Sequence, residues 1–189
     1  MDAMMIEQLG PLNSLAGIWE GGQGLDVSIV NGQELLTDFH ERIVFEPLGP
    51  VKNGPQVLYG LRYAMTARRL GEQDAFHEEV GYWLWDAGQN QVLRCFMVPR
   101  GVLINAGGDA EPDSRSLHLS AEIGSETYGI LSNKFLHDSH KTIKYVLDVS
   151  IHADDQFSYK EDTHLWIPSN EMVFHHTDQN ILVKVESLP

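Results

Sequence analysis

The sequence predicts an all-β protein: a single antiparallel up-and-down β-barrel of about ten strands, with a short helical turn at the N-terminal end. Three observations predict it. Apolar and polar residues alternate with period two almost everywhere after residue 17. Clusters of turn-forming residues break these runs at short spacing. No strand, long helix, strand spacing occurs, which argues against a parallel sheet.

The elements follow in order. Residues 2–14 have room for a helical turn, and 1–14 read as an N-terminal arm ahead of a barrel domain over 15–189. "LAGIWEGGQG", Leu15 to Gly24, places Trp19 among glycines. Glycines allow a first barrel strand to bend sharply, and the indole can plug one open end. "FHEEVGYWLW" sets Phe76, Val80, Tyr82 and Leu84 on one face, and His77, Glu79, Gly81, Trp83 and Trp85 on the other. "LHLSAEI" sets Leu117, Leu119, Ala121 and Ile123 against His118, Ser120 and Glu122. "ILSNKFLHDSHK" is the other stretch with room for a helical turn. "TIKYVLDVSIH" puts Ile143, Tyr145, Leu147, Val149 and Ile151 on one face, and "FSYKEDTHLWI" and "ILVKVE" continue the alternation. The separating turns include "PVKNGPQ", "RLGEQD", "DAGQNQ", "GGDAEPDS", "HADDQ" and "PSN".

A barrel removes the open edges that so many short strands would otherwise expose. Several strands carry polar groups on both faces, as in "YKEDTHLW". A tightly filled small barrel would not tolerate this, because a buried charge without a partner is costly. A wider barrel with a wet or ligand-filled cavity would.

Composition bounds the partners. The chain has 27 acidic and 13 basic residues, a formal net charge of −14. Nucleic acid and anionic membrane surfaces repel such a chain. No apolar run is long enough to span a bilayer as a helix, and "MDAMMIEQLG" lacks the basic region of a signal peptide. Cys95 is the one cysteine, so no intrachain disulfide forms, which suits a cytoplasmic location. The outer face of a barrel can pair two copies, so a homodimer is the protein partner considered.

Two motifs narrow the fold class to a family. "G-I-W-E-G" near the N-terminus and "H-E-E-V-G-Y-W" in mid-chain resemble the nitrobindin family of haem-binding β-barrels, related in shape to lipocalins and fatty-acid-binding proteins. "FMVPRGVLINAGG" and "FHHTDQNILVKV" extend the resemblance to roughly residues 12–187. The resemblance implies a cavity that takes a hydrophobic or planar small molecule, haem among them. It also implies, as an alternative, ferric-haem chemistry such as isomerising peroxynitrite to nitrate. It implies an axial His just before the closing apolar run. Anchored on "ILVKV" that position falls on Asn180; anchored on the preceding loop it falls on His175 or His176. A third reading is a scaffold barrel whose interior is filled by side chains.

The candidate residues follow from these readings. His175 and His176 are the metal candidates, and only one of two neighbours on a strand can face a cavity. Trp19, His77 and Glu79 are expected on the cavity wall, the Glu79 carboxylate orienting the His77 imidazole. Arg100, in "VPRGV", is a carboxylate anchor because guanidinium binds carboxylates bidentately. His137 and His140 read as solvated surface, and Cys95 as a core thiol. Asp162, His164 and Ser158 could be arranged as a hydrolytic triad, but no G-x-S-x-G elbow accompanies them.

Overall fold

A computed structural model describes residues 7–188. The strands are β1 (Gly17–Val30), β2 (Gln33–Asn53), β3 (Gln56–Arg69), β4 (Ala75–Asp86), β5 (Gln91–Val98), β6 (Val102–Asp109), β7 (Ser116–Glu122), β8 (Ile130–Leu131), β9 (Lys141–Ala153), β10 (Gln156–Ile167) and β11 (Met172–Glu186). Every pairing between these strands is antiparallel. β1 pairs with both β2 and β11, and β5 with β6, so ten strands close into one ring. The two-residue β8 hangs on β6 beside that ring. The predicted all-β barrel of about ten strands is the observed fold.

One end of the barrel is closed. The 3-10 turn Gly10–Leu15 carries Leu12 and Leu15 into the core, and Leu9 just before it is equally buried. The described part of the expected 1–14 arm is thus packed into the barrel; residues 1–6 lie outside the described residues. Trp19 is fully buried above this turn, and its Nε1–H donates to the Leu15 carbonyl at 2.7 Å. Its ring meets Phe157 edge-on, with centroids 4.7 Å apart. An indole buried with its N–H satisfied contributes several kcal/mol, at about 25 cal/mol per Å² of apolar area.

The glycines around Trp19 are there because β1 bends. Its register with β2 shifts between Gly21 and Gly24. A Cβ on Gly21 would lie 2.6 Å from the Ile181 carbonyl oxygen, and one on Gly24 would lie 2.5 Å from the Phe39 ring. Only glycine permits such close approaches.

Two bulges correct the strict alternation expected from the sequence. In β9, Lys144 pairs with His164 and Thr142 with Leu165, which leaves Ile143 as the extra residue. Thr142 therefore faces inward where Ile143 was expected. In β4, His77 pairs with Ala67 and Ala75 with Arg68, which leaves Phe76 extra. Phe76 turns into the cavity beside His77 rather than staying on the outer face. Cys95 is also displaced from expectation. It sits half-buried on the outer face, where its thiol donates to Asn105 Oδ1 at 2.9 Å.

The second helical expectation is met by α1 (Lys134–Ser139), capped by the Asn133 side chain, which accepts from the Leu136 N–H at 3.0 Å. Leu136 is buried against the barrel mouth while Phe135 is largely exposed.

Candidate functional site

A cavity of about 490 Å³ runs from Leu15 and Phe157 near the closed end to Phe135 and Arg100 at the mouth. That size falls among cavities holding small molecules, roughly 300–1,000 Å³. The barrel is therefore not filled by its own side chains, which removes the scaffold reading's main support. The cavity has a charged belt at mid-height and a mixed apolar and basic mouth.

The belt is organised by Arg94, on β5. Arg94 and Phe96 share the inward phase of their strand, and Arg94 pairs across to Trp83. Its guanidinium reaches Glu79 Oε2 at 2.5 Å and Glu161 Oε2 at 2.9 Å, and also donates to the Tyr145 hydroxyl. Tyr63 donates to Glu79 Oε2 at 2.9 Å, and Tyr145 to Glu161 Oε2 at 2.6 Å. Burial pushes the Glu79 carboxyl up, but Arg94, His77 and Tyr63 override it and hold it at about 2. His77 Nε2 lies 3.3 Å from Glu79 Oε1. Burial works against its imidazolium, yet Glu79 raises the His77 pKa above its ordinary value.

A second belt group makes no ion pair among the described residues. Glu41 is 1% exposed; Tyr159 donates to its Oε2 at 3.0 Å and Asn180 Nδ2 to the same oxygen at 3.0 Å. Burial pushes Glu41 up to about 7 despite those two hydrogen bonds. Asp178 is pushed well above the carboxylate range by burial and by Glu161 and Glu41 nearby. The belt therefore holds an exchangeable proton on Glu41 near neutral pH, and burial favours the protonated form of Asp178.

At the mouth, His176 on β11 faces the cavity, and its Nε2 lies 2.7 Å from Asp26 Oδ1 on β1. Ile29, Leu35, Phe39, Phe76 and Leu165 supply apolar wall, and Arg69, Arg100 and His140 stand at the rim.

The structure sorts the sequence candidates as follows. His77, Glu79, Arg100 and His176 line the cavity. His175 faces the outer wall, with its Nδ1 2.8 Å from Asp162 Oδ2, so it meets no cavity ligand. Asn180 points inward but is spent on Glu41 and the Gly21 carbonyl. Trp19 belongs to the closed end and is absent from the cavity lining. His140, expected on the surface, stands at the rim, while His137 is exposed beside Asp138. Ser158 bonds His152, not Asp162 and His164, so no hydrolytic triad forms there. Sequence reasoning missed Arg94, Glu41, Glu161, Asp178 and Asp26. Their signal was present: each is a charged residue in the same phase as its strand's inward-facing residues.

The sequence profile of the THAP4-like, heme-binding beta-barrel domain matches residues 8–184. The chain belongs to this family. It is the haem-binding barrel group that the "G-I-W-E-G" and "H-E-E-V-G-Y-W" motifs resemble. The family match begins within the N-terminal segment that closes the barrel and ends on β11, so it takes in both ends of the cavity. Among solved structures, Rv2717c from M. tuberculosis is similar, with a TM-score of 0.67 over 94% of this chain and 96% of that one. Its sequence identity is 17%, so this likeness speaks for the fold alone. Comparison with curated proteins gives no match. No helix among the described residues is long and apolar enough to cross a membrane.

Proposed function

We propose that the barrel binds a planar hydrophobic molecule at its mouth, haem first among the candidates, with His176 as the donor to iron. One observation carries this reading: His176 is the β11 histidine that faces the cavity, and Asp26 holds one of its two ring nitrogens. A histidine that ligates metal typically gives its other nitrogen to a carboxylate, which fixes the ring and raises its basicity. Asp26 on Nε2 leaves Nδ1 for the ligand. His77 stands lower, in the belt beside Glu79 and Arg94, and is not on β11, where the family resemblance puts the donor.

The rest of the mouth suits the same molecule. The apolar and aromatic wall matches a porphyrin face. The anionic belt repels carboxylates, so propionates would turn outward toward Arg69 and Arg100. A ferric haem would supply a Lewis-acidic iron with one open coordination site. The chain's own residues supply the donor, the wall and the belt below, where the Glu41 carboxyl is raised to about 7 and Arg94 bridges Glu79 and Glu161.

Absorbance titration of the purified protein with haem tests the reading. The wild type is expected to saturate at one equivalent with a sharp Soret band. His176→Ala is expected to lose that band, while His175→Ala keeps it, since that ring lies on the other side of the wall. A Soret band unchanged in His176→Ala removes His176 from the site and leaves the cavity to a ligand without iron.

A further inference from the structure

The outer wall carries a second histidine group, separated from the cavity by the β10–β11 ladder. His164 and His175 are direct cross-strand partners, and Asp162 lies two residues from His164 on the same outer face. Asp162 Oδ2 is 2.8 Å from His175 Nδ1 and 3.2 Å from His164 Nε2. The two imidazole rings lie 4.1 Å apart, centroid to centroid. One donor atom from each of the three residues falls within 4.8 Å of the others.

We infer that Asp162, His164 and His175 form a binding site for a divalent transition-metal ion of the zinc class on the outside of the barrel. Two imidazole nitrogens and one carboxylate oxygen suit zinc, nickel or copper, and not the all-oxygen shells of calcium or magnesium. Zinc bonds to such donors at about 2.0–2.2 Å, so tetrahedral geometry puts donors roughly 3.3–3.6 Å apart. The Asp162–His164 contact already stands close to that spacing, the Asp162–His175 contact is shorter and opens by a side-chain rotation, and the ladder holds both backbones. The competing cation is drawn off. Lys144 pairs across from His164 on β9, but its Nζ bonds Glu122 Oε1 at 3.2 Å. The Asp162, His164 and His175 side chains are 34%, 21% and 55% exposed, so water can complete the coordination. His118 and Asp148 make an exposed pair at 2.7 Å, without a second imidazole in their cluster, and serve as the control.

Zinc is titrated into the full chain at neutral pH in competition with a chromophoric chelator. One equivalent is expected to bind. His164→Ala, His175→Ala and Asp162→Asn are each expected to weaken it by at least ~10-fold, since even outer-sphere changes at metal sites cost about that much. His118→Ala is expected to leave it unchanged. Copper(II) in place of zinc gives a second readout: electron paramagnetic resonance showing two coupled nitrogens in the wild type and one in His175→Ala. His175→Gln repeats the test should the alanine variant lose stability. Unchanged affinity in both His175 variants overturns the site, as does equal weakening by His118→Ala.

Discussion

Replacing Arg94 by leucine is expected to lower stability by about 3–5 kcal/mol at neutral pH, the usual result of removing one partner from a buried ion pair. For a domain of this length that is a fall of roughly 6–20 °C in the thermal midpoint. Arg94 is the cation that both Glu79 and Glu161 contact in the belt, and it is 7% exposed. Without it, two carboxylates face each other across a closed space. Glu79 supplies a check on the sign. Its folded pKa of about 2 lies below the ordinary value of 4.5, so its contribution is present above pH 4.5 and is lost as pH falls through about 2. A shift of that size corresponds to about 3 kcal/mol, in line with the direct expectation. Adding Glu79→Gln to Arg94→Leu is expected to recover part of the loss. Urea denaturation at pH 7 measures both. A loss under about 1 kcal/mol for Arg94→Leu would mean that water already screens the belt.

Glu41→Gln is expected to act in the opposite direction. The Glu41 carboxyl is raised from 4.5 to about 7 in the folded chain, so folding favours its protonated form. The stability this gives is fully present below pH 4.5 and is lost as pH rises through about 7. Glutamine keeps an oxygen to accept from Tyr159 and Asn180 but carries no charge to bury. The variant should therefore be more stable than the wild type by about 3 kcal/mol at pH 8, and by under about 1 kcal/mol at pH 5. Denaturation at the two pH values decides the matter. An equal gap at both would show that the carboxyl does not titrate in this range, and that Glu41 matters only for its hydrogen bonds.

The fold was legible because one face of nearly every strand is apolar, and period-two alternation survives translation into structure. Tyr145, Leu147, Val149 and Ile151 are all buried, in the phase the sequence gives them. The errors fall at bulges. Phe76 and Ile143 change role because one extra residue resets the phase, and neither is marked by a glycine. The site was legible in part. "HEEVGYW" put His77 and Glu79 on one wall, and adjacency allowed only one of His175 and His176 to face inward. Which one depended on the phase of β11, and that is fixed by Phe174, Asn180 and Leu182 being buried. The belt was illegible as a unit. Its members come from β2, β4, β5, β10 and β11, and only ring closure brings Glu41 to Asn180 and Arg94 to Glu161. The same holds for the outer trio, where Asp162 and His164 are neighbours in sequence but His175 arrives by cross-strand pairing.

The central claim is that His176 is the group that meets a ligand at the barrel mouth. The measurement that tests it most directly is rescue of His176→Gly by free imidazole, followed in the haem absorption spectrum. The account predicts that the glycine variant loses the sharp Soret band of the wild type, and that imidazole entering the vacated space restores it in a saturable way. A glycine variant that keeps the wild-type spectrum, with no response to imidazole, would contradict it.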